Sequence, residues 1–176
     1  ESLLMHHLLD KETNETMRRY LINYYIEEFR TTLFRQTMFA EFEMLTHKEV
    51  ENGGVLTAEW MCKLYNDLNH QYFGPALAPD DYIQYEWARI PHFYRAFYVY
   101  QYATGYSAAT AISAKILAEG EAARKNYIEF LKSGSSNDPV ELLKIAGVDM
   151  SSPEPIRMAM ETFQGLVEEL EQLMQA

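Results

Sequence analysis

Four tyrosines, Tyr94, Tyr98, Tyr102 and Tyr106, recur at every fourth residue, and His92 stands just ahead of them, directly after Pro91. Seven of the thirteen tyrosines fall between positions 82 and 106. On a helix this spacing lines the phenols along one slowly turning stripe. A phenol donates and accepts through its hydroxyl, and an imidazole N–H donates. Together they offer a row of donors to a polar ligand. A phenol buried for packing alone still needs a hydrogen-bond partner, and a wet, polar-lined cavity meets that need for four of them most cheaply. Core packing is the competing reading, because an aromatic stripe usually faces a core. Arg89 could grip a carboxylate with two parallel bonds or serve in an ordinary ion pair.

Metal chemistry has little support in the residue pattern. The histidines are His6, His7, His47, His70 and His92, and none is followed by Glu, so no HExxH zinc motif is present. His6 and His7 are adjacent, about 100° apart on a helix, and cannot chelate one ion together. Asp67 and His70 are three apart and could share a ligand. A carboxylate-bridged di-metal bundle needs two Glu-x-x-His units and two more inward glutamates, which a single Asp-x-x-His does not supply. Cys62 is the lone cysteine. It lies in a helical pattern, reads as inert burial, and fits a reducing compartment.

The elements that must position these groups are helical. Residues 11–51 contain neither Pro nor Gly and read as one long helix, capped by Thr13 or Asn14 and stopped at Asn52-Gly53-Gly54. Its apolar residues lie on nearly every side, which implies burial on several faces. Residues 56–73 read as a second helix with Thr57 as N-cap. Pro75 and Pro79 mark a loop, and residues 82–89 read as a short helix or an extended trace. Residues 92–117 read as the central helix. Gly105 inside it costs about 1 kcal/mol relative to Ala, which suggests close approach of another helix or a ligand backbone. Residues 121–131 form the next helix. Asp138-Pro139 starts a short one ending at Gly147. Ser152-Pro153 starts a last helix with an apolar stripe of Ile156, Met160, Phe163, Val167, Leu170 and Met174.

The chain has 176 residues, is 48% hydrophobic and carries a net charge of −11. That is ample for a packed core. The acidic balance argues against nucleic acid, which demands a basic footprint, and against anionic membrane surfaces. No signal peptide opens the chain and no apolar run could span a bilayer. Cytoplasmic localisation is the expectation.

Three stretches carry a resemblance. They are RIPHFYxxFYVYxYATGYSAA at residues 89–109, FLKSGSSNDPVELLKIAGVDMSSPEPI at residues 130–156, and the opening ESLLMHHLLDKE. Together they resemble, in register across the chain, the C-terminal part of oligoendopeptidase F, a zinc peptidase family of the thimet oligopeptidase type. The resemblance implies an all-α fold, a multi-helix bundle that forms the C-terminal part of a larger helical metallopeptidase. Residues 1–176 are then expected to be a single all-helical portion of its catalytic domain.

In such enzymes two histidines of HExxH and a glutamate on a following helix bind zinc, and the motif glutamate activates water. This chain lacks the motif and begins with Glu1. The expectation is a piece downstream of the zinc site: zinc in the parent enzyme, none bound here, and no activity alone. The resemblance assigns His92, Tyr98 and Tyr106 to the catalytic oxyanion and substrate backbone. It leaves Tyr94, Tyr102 and Arg89 as substrate-binding residues. Expected partners are an oligopeptide substrate and the upstream half of the same enzyme, with self-association through exposed apolar surface. The alternative is a non-enzymatic helical interaction module.

Overall fold

The computed structural model describes residues 1–78 and 80–175, so Pro79 of the expected loop lies outside the described residues. Among the described residues there are eight α-helices and no strand, as the all-α expectation required. The chain folds as two compact units, Glu1–Arg30 with Thr104–Ala176, and Thr31–Ala103.

The first unit contains α1 (Ser2–Lys11), α2 (Glu15–Phe29), most of α5 (Tyr100–Glu119), α6 (Glu121–Ser133), α7 (Pro139–Ile145) and α8 (Glu154–Gln175). Asn14 starts α2 by accepting the Met17 N–H at 3.0 Å. This supplies one of the partners that a first turn lacks. Asp138 does the same for Val140 N at 2.9 Å, with Pro139 in the first helical position. Helices α2 and α8 pack together through Phe29 and Phe163, 5.6 Å between ring centroids, and Arg18 pairs with Glu169. A second core joins α5 to the turn that follows α7 through Ala108, Ala111, Ile112, Ala146 and Val148. The small side chains of α5 let its neighbours sit close.

The stripe expected on α8 is offset. Pro155, Ala159 and Leu166 are buried, whereas Ile156 and Met174 are exposed. Each of those three precedes its expected counterpart by one position, while Met160, Phe163, Val167 and Leu170 of the expected stripe are partly buried, Phe163 against Phe29.

The second unit contains α3 (Arg35–Glu51), α4 (Ala58–Phe73) and two 3-10 segments, Ile83–Arg89 and Pro91–Tyr94. Between α2 and α3 the ladder passes through a π-helical stretch, Arg30–Phe34, within which the division of units falls. The expected long helix is thus one helical run with a widened turn. Thr57 caps α4 by accepting the Trp60 N–H at 3.1 Å. The core holds Met38, Phe39, Phe42, Tyr65, Leu68, Ile90 and Val99. Phe42 meets Tyr65 edge-on at 5.3 Å and Phe93 at 5.4 Å. Each fully buried large side chain here contributes about 2 kcal/mol. Met17 and Tyr24, on α2 of the first unit, are half-exposed.

The helix expected over residues 92–117 is shorter. It begins at Tyr100, and residues 91–99 form a 3-10 turn followed by a loop. The cause lies at Phe97, whose φ is +56°. Its N–H is taken by the buried Glu43 carboxylate at 2.7 Å instead of by a carbonyl one turn back. An α-helix cannot continue through a left-handed residue.

Candidate functional site

Three of the residues singled out by spacing meet in the second unit. The rings of His92 and Tyr98 lie parallel, 4° apart, with centroids at 5.6 Å. Tyr102 stands edge-on to both, at 5.8 and 5.5 Å. Its hydroxyl is 3.2 Å from His92 Nε2 and donates to Tyr98 Oη at 3.4 Å. With the Tyr102 proton so used, His92 donates through Nε2–H, and Tyr98 keeps its own proton for an outside acceptor. The bond with Tyr98, then burial and the neighbouring phenol, hold the Tyr102 phenol above its ordinary range, so it stays neutral and in its relay. The Arg95 guanidinium lies over the Tyr98 ring, 5.2 Å from its centroid, an electrostatic attraction to the ring face.

The segment leading into this cluster is anchored by Glu86, whose side chain is 6% exposed. Its carboxylate accepts from Arg35 at 2.6 Å, from Tyr65 at 2.6 Å and from Arg89 at 2.5 Å. Burial pushes the carboxyl up, but the Arg35 and Tyr65 bonds and the two guanidinium charges outweigh it and leave the group below its ordinary value. Burial and the Glu86 carboxylate together push the Tyr65 phenol far up. Arg89 is thus in an ion pair, yet its side chain is 72% exposed.

Tyr94 parts from the cluster. It is 88% exposed and borders a hollow of about 280 Å³ with Phe42, Glu43, His47 and Trp87. The strict four-residue stripe therefore breaks at the loop, and only Tyr102 and Tyr106 share α5.

Tyr106 belongs to the first unit. Its ring meets Phe29 edge-on at 5.0 Å. Its hydroxyl is buried and has no hydrogen-bond partner among the described residues. Tyr25, 1% exposed, has a second such hydroxyl. Both tyrosines, with Glu1, Ser2 and Glu28, line a hollow of about 170 Å³. Burial, then the nearby phenol and carboxylates, push the Tyr106 phenol far up. Burial also raises Tyr25, opposed by Ser2, which sits beside it without forming a bond of full geometry. Both remain protonated donors. Gly105 does not mark a close approach: a Cβ built on it meets nothing within 4 Å. It borders a separate hollow of about 360 Å³ with Ala108, Ala109 and Tyr127.

With this geometry in view, similarity to known proteins is decisive. The family model described as peptidase family M3 matches residues 1–162. The chain belongs to peptidase family M3. It is 52% identical over 99% of its length to oligopeptidase PepF of Bacillus subtilis, covering 26% of that protein. It is 43% identical over 99% to the plasmid oligoendopeptidase F of Lactococcus lactis subsp. cremoris, covering 29%. The crystal structure of oligoendopeptidase-F from Enterococcus faecium superposes with a TM-score of 0.94 at 46% identity, covering 98% of this chain and 33% of that one. The chain therefore spans between a quarter and a third of the length of these three relatives.

Within this M3 chain, no group of three or more His, Cys, Asp or Glu side chains that could hold a metal ion occurs among the described residues. Asp67 is exposed and pairs with Lys63 at 2.6 Å, and His70 is exposed. The residues present do not fit a zinc centre. Cys62 is buried and accepts from Trp87 Nε1 at 3.5 Å. No helix among the described residues is long and apolar enough to cross a membrane.

Glu43, His47 and Phe97 were not singled out by sequence. Glu43 and His47 sit one turn apart on α3, a spacing that flags a shared face. Their partner is Phe97, whose ring lies 4.5 Å from that of His47. A left-handed phenylalanine has no sequence signature.

Proposed function

We propose that this chain is the C-terminal portion of the catalytic domain of a zinc-dependent oligoendopeptidase that hydrolyses internal bonds of short peptides. The observation that carries the reading is the match along 99% of the chain to proteins named oligopeptidase and oligoendopeptidase F. Zinc is held by residues outside this chain, and the 176 residues alone are inactive. Residues 1–176 act as part of one catalytic domain, whose other partner is the upstream half of the enzyme. It works in the cytoplasm, where the lone free thiol of Cys62 is at home.

The chain's own contribution is hydrogen-bond donation to the substrate. As the amide is attacked, negative charge develops on the former carbonyl oxygen. One well-placed donor stabilises it by about 3 kcal/mol. His92 and Tyr98 are proposed in that role. The chain of bonds through Tyr102 supports it for Tyr98, whose proton it leaves available, and it orients the His92 ring, whose Nε2–H would turn from Tyr102 to the substrate oxygen. Tyr106 is proposed as a further donor in its own unit, since its protonated hydroxyl has no partner. Tyr94 and Arg89, both exposed, are proposed to bind substrate, Arg89 through a peptide carboxylate.

Expressed within a family-length polypeptide, this chain is expected to support cleavage of an internal bond in a quenched fluorescent oligopeptide. The isolated chain is expected to leave the same peptide intact. Failure of the full-length protein to cleave any such peptide, with zinc present, would remove the enzymatic reading and favour an interaction module. The isolated chain exposes Leu4, Tyr20, Val55, Tyr82 and Tyr94. It is therefore expected to self-associate at high concentration or to bind the upstream half, as light scattering would report.

A further inference from the structure

Phe97 is the only non-glycine residue with a left-handed backbone among the described residues, and it immediately precedes Tyr98. A bulky aromatic residue is strained in that region and stays there only when its surroundings hold it. Two contacts do so, both from α3. The Phe97 N–H donates to Glu43 Oε1 at 2.7 Å. The Phe97 ring lies tilted against His47, with centroids 4.5 Å apart. His47 Nδ1 is in turn 2.8 Å from the Glu43 carbonyl oxygen.

The Glu43 carboxylate is the unusual member. The residue is 4% exposed, and the Phe97 amide is its carboxylate's one hydrogen-bond partner among the described residues. A buried carboxylate without a donor is strongly disfavoured, and a bond to an ionised acceptor is stronger than a neutral one. The carboxylate thus requires a backbone donor at this place, and an α-helical residue 97 would have turned its N–H along the helix axis. We infer that Glu43, with His47, clamps Phe97 and thereby sets the position of Tyr98 and, through the parallel ring pair, of His92. Glu43 is a positioning residue, with no contact to the donor cluster itself. This inference rests on the proposed donor role of His92 and Tyr98.

The test uses the full-length peptidase. Glu43→Leu removes the acceptor and is expected to lower kcat by ~10-fold or more with KM little changed, since small misplacement of a catalytic group is costly. Glu43→Gln keeps an amide oxygen in place and is expected to restore most of the loss. Amide exchange followed by mass spectrometry should speed up in the peptide containing Phe97 in Glu43→Leu, with α4 protection unchanged. Wild-type kcat in Glu43→Leu, or exchange at Phe97 unaltered, overturns the clamp.

Tyr98→Phe separates this failure from failure of the donor reading. If Tyr98→Phe leaves kcat intact, the donor role falls, and exchange at Phe97 alone decides whether the clamp exists. Should Glu43→Leu not fold, Glu43→Gln carries the test. Its weaker, neutral bond is expected to give measurably faster exchange at Phe97 and a few-fold lower kcat, and no change in either overturns the clamp.

Discussion

Two groups of tyrosines in this chain have opposite surroundings. In the second unit, Tyr102 shares hydrogen bonds with Tyr98 and with His92, and both tyrosines are only partly buried. In the first unit, the Tyr25 and Tyr106 hydroxyls are buried beside a small hollow and lack hydrogen-bond partners among the described residues. The first arrangement spends the Tyr102 donor on a neighbour and leaves the Tyr98 proton at the end of the relay. The second leaves each donor unspent inside the protein. An unsatisfied buried hydroxyl costs about 1–3 kcal/mol, so the second group is a store of instability unless something meets it.

The contrast is sharpest in the expected losses of activity. In the full-length peptidase, His92→Ala or Tyr98→Phe is expected to lower kcat by ~100-fold or more, the loss typical of a donor to a developing oxyanion. Thermal stability should hardly change, because these are partly exposed groups. A variant that loses stability but keeps kcat would turn the relay into a packing feature.

The Glu86 network holds the chain leading into the relay, and it carries a pH dependence. Its carboxyl lies below the ordinary 4.5 when folded. A lowered folded pKa means the unfolded chain binds the proton more readily. The network's contribution is therefore complete above the ordinary carboxylate range and is lost as pH falls through and below it. Glu86→Gln is expected to cost about 3 kcal/mol at neutral pH, as for breaking a buried ion pair. The gap from wild type should shrink on acidification. Thermal unfolding of both proteins from neutral to acid pH measures this, and a constant gap would place the stability elsewhere.

Tyr106→Phe probes the other side of the comparison. It is expected to lower kcat and kcat/KM together by ~10-fold, the pattern of a contact made only in the transition state. Unchanged kinetics with a higher melting temperature would reassign Tyr106 to the same class as Tyr25.

The elements were largely legible in the sequence. Asn14, Thr57 and Asp138-Pro139 announced helix starts through side-chain chemistry that acts within a few residues. The His92, Tyr98 and Tyr102 grouping was also legible as residue types, although not for the stated reason. The helical stripe would have set the phenols on one face, whereas the actual grouping depends on a loop that folds His92 back toward α5. That loop is set by Glu43, distant in sequence, gripping the amide of Phe97. Long-range side-chain capture of a backbone donor leaves no periodic trace. Nor did the α8 offset, where Ala159 rather than Met160 is the buried residue.

Tyr25→Phe is the smallest expected effect and the cleanest measure of the contrast. The ring is buried against Phe29 at 5.4 Å and meets His6 edge-on at 5.8 Å. Phenylalanine keeps both contacts and removes only the hydroxyl. If that oxygen is unsatisfied, its deletion should stabilise the protein by about 1 kcal/mol, read as a higher denaturant midpoint at unchanged slope. Removing the Tyr98 hydroxyl should give no such gain, because its bond with Tyr102 is lost with it. Equal stabilisation by both variants would mean that the relay in the second unit holds no more hydrogen-bond energy than the buried pair in the first. Destabilisation by Tyr25→Phe would mean that the hydroxyl is met, with Ser2 or an ordered water in the small hollow beside Glu1 and Glu28 as its partner.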